Sequence, residues 1–206
     1  MSAGRLIVLE GGEGAGKSTQ VQAVAVWLRE RGRQVLTTRE PGGTPLAEGI
    51  RELVLRRWSE GMDAATEALL IFAARAAHLK ERVRPALERG EDVVCDRFVD
   101  ASYAYQGAGR GLGAERIAAL ERFTLDGLRP DLVLVLDLPP ELGLQRTAKR
   151  GEENRFEAET LEFMRRVREA YLSRARSEPG RYAVIDATPS PETVSTAIRR
   201  VLEARL

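Results

Sequence analysis

EGGEGAGKST, residues 10–19, decides how this chain is read. Within it Gly11-Gly12-Glu13-Gly14-Ala15-Gly16-Lys17-Ser18 fits G-x-x-x-x-G-K-S/T, and both flanks supply the context that spacing needs. LIVLE (6–10) is a continuous apolar run that predicts a buried strand, and residues 17–31 predict a helix. In such a strand–loop–helix, glycines let backbone N–H groups close on phosphate oxygens and the helix N-terminus adds its positive end. Lys17 then spans the β- and γ-phosphates of ATP and Ser18 ligates Mg²⁺. The expected phosphate-binding residues are therefore Gly11, Gly12, Glu13, Gly14, Ala15, Gly16, Lys17, Ser18 and Thr19. Lys17 is one of three lysines, with Lys80 and Lys149, against 29 arginines, so a lysine at this position is unlikely by chance. Glu13 is the anomaly. A carboxylate turned toward bound phosphates would cost on the order of several kcal/mol at low effective dielectric, so Glu13 is expected to face away from ATP and toward whatever shares the crevice.

Outward from the loop, QVLTT (34–38), DVVCD (92–96), LVLVLD (132–137) and YAVID (182–186) repeat the pattern of LIVLE. Nearly continuous apolar runs alternating with helical segments predict a parallel sheet covered on both faces. The expected fold class is α/β, a P-loop NTPase-type five-stranded parallel sheet with helices at about 17–31, 45–57, 64–89, 114–126, 139–149, 157–177 and 190–205. Four strands end at or beside an acid, Glu10, Asp96, Asp137 and Asp186, at the edge where such sheets gather ligands. One domain over residues 1–206 is expected, with a polar lid at about 147–157 around AKRGEENR.

Lys plus Arg (32) balance Asp plus Glu (31), and a net charge of +1 gives no bulk field for nucleic acid or an anionic membrane. The apolar run near the N-terminus is too short for a signal peptide or a membrane span, so a cytoplasmic protein is expected. One cysteine, Cys95 in VVC, reads as core, and with one histidine, His78, a zinc site is excluded. A GTPase would carry an Asn-Lys-x-Asp motif, whereas the single asparagine, Asn154, precedes Arg155. A motor or transporter ATPase would need partner-contacting elements that the sequence does not show. A small kinase fits better.

TREPGGT (38–44), CDRFVDASYAYQGAGRG (95–111), RPDLVLVLD (129–137) and AKRGEENRFE (148–157), taken with the loop, resemble thymidylate kinase in its bacterial form, over essentially the whole chain and in order. The resemblance implies an enzyme passing the γ-phosphate of ATP to dTMP, with Mg²⁺, acting as a homodimer. It implies that Arg39 and Arg97 hold the acceptor phosphate, that an aromatic of the helix TEALLIFAARAAHLKERV stacks on thymine, and that Arg75 reads its O4. Spacing alone places Phe72 in the core; the resemblance makes it the base platform. Ser102 and Gln106 match positions near the base, and Tyr105 one packed against the sugar's 2′ carbon, where a ribose hydroxyl would clash. At the end of a buried strand, Asp96 can reach Mg²⁺ or pair with Lys17, and Arg97 projects into the crevice. In relatives an acid at the place of Glu13 meets the 3′-hydroxyl of dTMP or a metal near the acceptor.

Eukaryotic relatives carry an arginine where this chain has Gly14, and bacterial ones move that duty to the lid, which makes Arg150 and Arg155 the matching catalytic candidates beside Lys17 and Arg97. Arg146 and Lys149 lie close in sequence. Two other readings stand beside this one: a kinase of the same architecture for another (deoxy)nucleoside monophosphate, and a nucleotide-binding module without turnover. The lysine, the metal ligands and the acceptor arginines are all present, which argues against the module.

Overall fold

The five apolar runs all become strands, four of them over the expected residues: β1 (Leu6–Glu10), β2 (Val35–Arg39), β3 (Asp92–Asp96), β4 (Leu132–Asp137) and β5 (Tyr182–Asp186). The structure, a computed structural model, describes residues 4–148, 155–156 and 159–206. All strand pairs are parallel, in the order β2-β3-β1-β4-β5. β1 is central, and the crossovers β1 to β2 and β3 to β4 run in opposite directions across the sheet, so the carboxyl end of β1 opens on the crevice where such sheets bind ligands.

Side chains alternate across the sheet with period two. Leu6, Val8, Val93, Cys95, Val133 and Val135 face one core; Ile7, Leu9, Val94, Leu132, Leu134 and Leu136 face the other. The second core is closed by Val21, Val24, Trp27 and Leu28 of α1 (Lys17–Arg29) and by Val194, Ile198 and Leu202 of α9 (Pro191–Arg205). The first is closed by α3 (Ala64–His78) and α6 (Ala114–Leu125), and by α8 (Leu161–Ser177), whose Met164, Val167 and Tyr171 recur on one face. Helices therefore cover both faces, as the runs predict.

Several helix starts follow from short polar caps. Thr44 accepts from the Ala47 N–H at 3.2 Å to open α2 (Pro45–Leu55), Asp63 accepts from Ala65 and Thr66 to open α3, and Thr160 and Ser190 cap α8 and α9. The expected helix at 64–89 is continuous in direction but passes through a π-helical turn, Leu79–Val83, before α4 (Arg84–Glu88). α7 spans Pro140–Ala148.

One helical stretch is absent from the expectation: α5 (Val99–Ser102) and the π-helical Tyr103–Gly109 after it. Glycine is a poor helix former, and the stretch holds two, Gly107 and Gly109. Gly109 serves close packing instead: a Cβ there would lie 2.6 Å from the Phe163 ring, so glycine is what lets α8 approach. This stretch carries Ser102, Tyr105 and Gln106 to the rim of the sheet.

Candidate active site

The phosphate loop runs from the end of β1 into α1. Gly16, at φ 84°, is the left-handed residue that starts the helix, and Gly14 is left-handed too, at 72°. A Cβ on Gly14 would meet the Gly143 carbonyl oxygen at 2.5 Å, so the arginine that eukaryotic relatives carry at this place has no room here. Lys17, 8% exposed, donates across the loop to the carbonyls of Gly12 (2.8 Å) and Gly11 (3.1 Å). Burial first, and then Arg97, push its pKa down; Glu13, Asp96 and Glu10 push it back in part.

Ser18 Oγ donates to Asp96 Oδ2 at 2.9 Å. Hydroxyl and carboxylate, both hard oxygen donors, thus stand together beside the loop. Mg²⁺ is commonly held by one or two carboxylates together with waters and substrate phosphates, and this pair fits that habit. Among the described residues no group of three or more His, Cys, Asp or Glu side chains could hold a metal.

Of the concavities that meet the loop among the described residues, two bear on the chemistry. One, lined by Ala15, Gly16, Thr19 and Gln20 on one wall and the β5–α9 connection on the other, is spanned by Arg146. The Arg146 guanidinium donates to the Ala187 and Thr188 carbonyls at 3.0 Å each, which holds it flat across this wall.

The second crevice brings together Glu13, Arg75, Arg97, Ser102, Tyr105 and Gln106, with Arg51, Ile71, Phe98 and Phe156 completing its walls. Arg97 is its centre. It has φ +67°, a left-handed conformation uncommon outside glycine that turns the chain sharply after β3. Its Nη1 donates to Gly11 O (3.0 Å) and Tyr171 Oη (3.1 Å), and its Nη2 to Glu13 Oε1 (2.7 Å) and Tyr105 Oη (3.1 Å). Tyr105 in turn donates to Glu13 Oε1 at 3.0 Å. Glu13 therefore faces this crevice through Arg97 and Tyr105. Burial pushes its carboxyl up, but Arg97 and Lys17 outweigh burial and leave its pKa below the usual value.

Arg75, 1% exposed, is fixed on three sides: Nε to Glu40 Oε2 at 2.6 Å, Nη1 to Ser102 Oγ at 3.1 Å, Nη2 to the Phe98 carbonyl at 2.9 Å. His78 sits structurally, between Glu40 Oε1 (2.9 Å) and Thr38 Oγ1 (2.7 Å). Gln106 donates to Glu67 Oε1 at 2.7 Å.

Three expected residues are not brought to this crevice. Arg39 is the last residue of β2, which ends one position later than expected; its side chain pairs with Glu48 at 2.8 Å and borders the neighbouring concavity of Ser18 and Asp96. Arg51 lines the crevice instead, donating to the Pro41 carbonyl at 2.9 Å. Phe72 is 3% exposed in the core, and the crevice wall at this turn is Ile71; the Phe72 ring lies 4.5 Å beneath the Arg75 guanidinium. Arg155 is held away from the phosphate loop by Glu67 (2.7 Å) and the Val54 carbonyl (3.0 Å). Arg150 and Lys149 lie outside the described residues, as does most of the expected lid.

Sequence reading missed Arg51 and Tyr171, and singled out Glu10 only as an acid at the ligand-gathering end of its strand. Arg51 was detectable: it falls with Ala47 and Val54 on the inward stripe of α2, where a charge needs a reason. Glu10 is fully buried, its Oε1 accepting from the Phe98 N–H (2.7 Å) and the Ala101 N–H (3.3 Å), so it braces the turn that carries Arg97. Burial, and then Asp100, push its pKa up to about 8 against the opposing pull of Arg97. A raised folded-state pKa gives stability that is fully present below the unfolded value of 4.5 and is lost as pH rises through 8. Glu10→Gln should therefore flatten the fall in urea stability between those limits, by up to about 1.4 kcal/mol per pH unit. Matching slopes in the two proteins would show that Glu10 titrates like an exposed carboxyl.

The family model "Thymidylate kinase" matches residues 9–198. The chain belongs to the thymidylate kinase family. A thymidylate kinase of Pseudomonas syringae pv. tomato is 60% identical over 199 residues, covering 97% of this chain and 95% of that one. One from Chromohalobacter salexigens is 56% identical, covering 100% and 98%. The crystal structure of thymidylate kinase from Ehrlichia chaffeensis superposes with a TM-score of 0.80 at 30% identity, over 97% of this chain and 99% of that one. Membership in the thymidylate kinase family makes the chain a phosphotransferase and agrees with the P-loop fold described above. Among the described residues no helix is long and apolar enough to cross a membrane.

Proposed function

We propose that this chain transfers the γ-phosphate of ATP to dTMP, giving dTDP and ADP in the synthesis of dTTP. The crevice around Arg97 takes dTMP, and the phosphate loop with the Arg146 wall takes ATP. The observation that carries this assignment is the convergence of Arg97, Arg75, Ser102, Tyr105 and Gln106 on one crevice, with Arg97 and Lys17 donating to the same Gly11 carbonyl.

Phosphoryl transfer asks for in-line positioning and positive charge more than for covalent chemistry. An oxygen of the dTMP phosphate, ionised near neutrality because its second pKa is about 6, attacks the γ-phosphorus while the bond to the β–γ bridging oxygen breaks and ADP leaves. No general base is needed. Arg97 and Arg51 hold the acceptor phosphate, and Lys17 draws the β- and γ-phosphates into line. Ser18 and Asp96 would hold Mg²⁺, which when bound neutralises charge on the donor phosphates. Arg75 offers donors to the base, Tyr105 closes the space beside the sugar's 2′ carbon, and Arg150 in the lid is a further source of positive charge.

The remaining assignments are a single kinase domain, a cytoplasmic location and a homodimer. Leu46 and Leu53 on α2, Leu69 on α3 and Phe123 on α6 are large exposed apolar side chains on helices that pack side by side, and a second copy would cover them. Sedimentation equilibrium checks this.

A panel of monophosphates in an ATP-coupled ADP-release assay tests the function. dTMP should be the best acceptor, and a rate for UMP or AMP equal to that for dTMP would remove the assignment. Within the panel, Tyr105→Ala should raise kcat/KM for UMP relative to dUMP, because the ring's role is to exclude the 2′-hydroxyl. Equal losses on both substrates would instead assign Tyr105 to packing, where its ring already meets Phe156 edge-on at 5.6 Å.

A further inference from the structure

We propose that Glu67 makes the acceptor crevice specific for a pyrimidine carrying an N3–H, by fixing which end of the Gln106 amide faces the base. The inference rests on the reading of this crevice as the dTMP site.

Glu67 lies in the first turn of α3 and is 0% exposed. Its carboxylate is ringed by donors: Arg155 Nη2 at 2.7 Å and Arg110 Nε at 3.2 Å on Oε2, and Gln106 Nε2 at 2.7 Å on Oε1. Arg110 is itself held by Glu159 at 2.6 Å. Two guanidinium groups donate to this carboxylate, and a carboxylate paired with them only accepts. It can therefore take the amide NH₂ of Gln106 and not the carbonyl. A side-chain amide has two N–H donors at one end and an acceptor at the other, so with its nitrogen end turned to Glu67, Gln106 has its carbonyl oxygen as the one acceptor it can offer to the crevice it lines.

Arg75 lines the same wall and contributes only donors. A donor beside an acceptor matches the O4 and N3–H of thymine or uracil. Cytosine presents the reverse, a 4-amino donor and a bare N3 acceptor. An unconstrained glutamine would turn its amide over to suit either edge. Beside Glu67, turning it over sets the amide oxygen against a buried, guanidinium-paired carboxylate and breaks a charge-assisted hydrogen bond. Glu67 touches no substrate in this account; it is a positioning residue.

The test compares kcat/KM for dUMP and dCMP, two acceptors that differ only on the 3,4 edge, in the wild type and in Glu67→Gln. A carboxamide at position 67 can accept or donate, so Gln106 is freed to turn. The dUMP to dCMP ratio should fall by about tenfold or more, as for loss of one charge-assisted bond. Glu67→Asp, which keeps the carboxylate acceptor, should hold the ratio near the wild-type value even if both rates drop. Equal losses on dUMP and dCMP in Glu67→Gln would show a purely structural role and overturn the proposal. If that variant does not fold, Gln106→Leu in the intact background serves: the same ratio must collapse, and an unchanged ratio overturns the proposal too. Failure of the wild type to phosphorylate dTMP would sink the functional reading, whereas an unchanged ratio in an active enzyme would sink the role of Glu67 alone.

Discussion

Lys17→Met should lower kcat by about a hundred- to a thousandfold at saturating ATP and dTMP, because it removes a preorganised donor aimed where negative charge moves during transfer, an effect of roughly 2.7–4 kcal/mol. The ammonium is already positioned: it reaches across the loop to the carbonyls of Gly11 and Gly12, at the closed end of the phosphate cradle. Arginine should not restore the rate, since a planar fork longer than an ammonium does not fit between those two carbonyls. The fold should not suffer from the change. Burial and the neighbouring Arg97 hold the Lys17 pKa below the usual lysine value, so the charged side chain costs the folded state free energy at neutral pH. The thermal midpoint of Lys17→Met should stay level or rise. A loss of kcat under tenfold in a folded variant would show that Lys17 positions ATP without stabilising the transferring group.

How far such a site can be read from sequence depends on whether a residue's role is local. The phosphate loop is local: its glycines, lysine and serine act through backbone that they themselves shape, and the flanking apolar run and helix confirm the context. The strands were legible because both faces are buried, so each is a continuous run. Arg39 and Arg51 show the opposite case. Both stand close to the crevice in sequence, but a strand shifted one residue later than expected leaves Arg39 beside Glu48, while helical periodicity brings Arg51 inward. Arg155 depends on Glu67, a partner far away in the chain that no local pattern announces. The helical stretch 99–109 was hidden because glycine serves both loops and close packing, and only the approach of Phe163 distinguishes them. Spacing alone placed Phe72 in the core, which is where the structure has it.

Arg97→Ala should lower kcat/KM for dTMP by about a hundred- to a thousandfold, more than one lost phosphate contact explains, because removing one member of this largely desolvated charge pair leaves the other short of its main partner, at roughly 2–5 kcal/mol. The member left behind is Glu13. Its Oε1 holds Arg97 Nη2 at 2.7 Å and the Tyr105 hydroxyl at 3.0 Å, and Arg97 is the foremost of the charges that keep its pKa low against burial. The carboxylate in the anion-binding loop thus belongs to the acceptor side, where it orients the guanidinium that grips the dTMP phosphate. Without Arg97, Glu13 keeps the Tyr105 hydroxyl but loses its nearest positive charge, and stands as a negative charge beside that phosphate. The two substitutions should then couple with a change of sign. Glu13→Gln alone should cost kcat/KM for dTMP about tenfold or more, as for a lost charge-assisted bond, since Arg97 loses its orienting partner. In the Arg97→Ala background the same substitution should raise kcat/KM, because it removes the repulsion. The four proteins form a double-mutant cycle, and additive losses would show that Glu13 and Arg97 act on dTMP independently despite their contact.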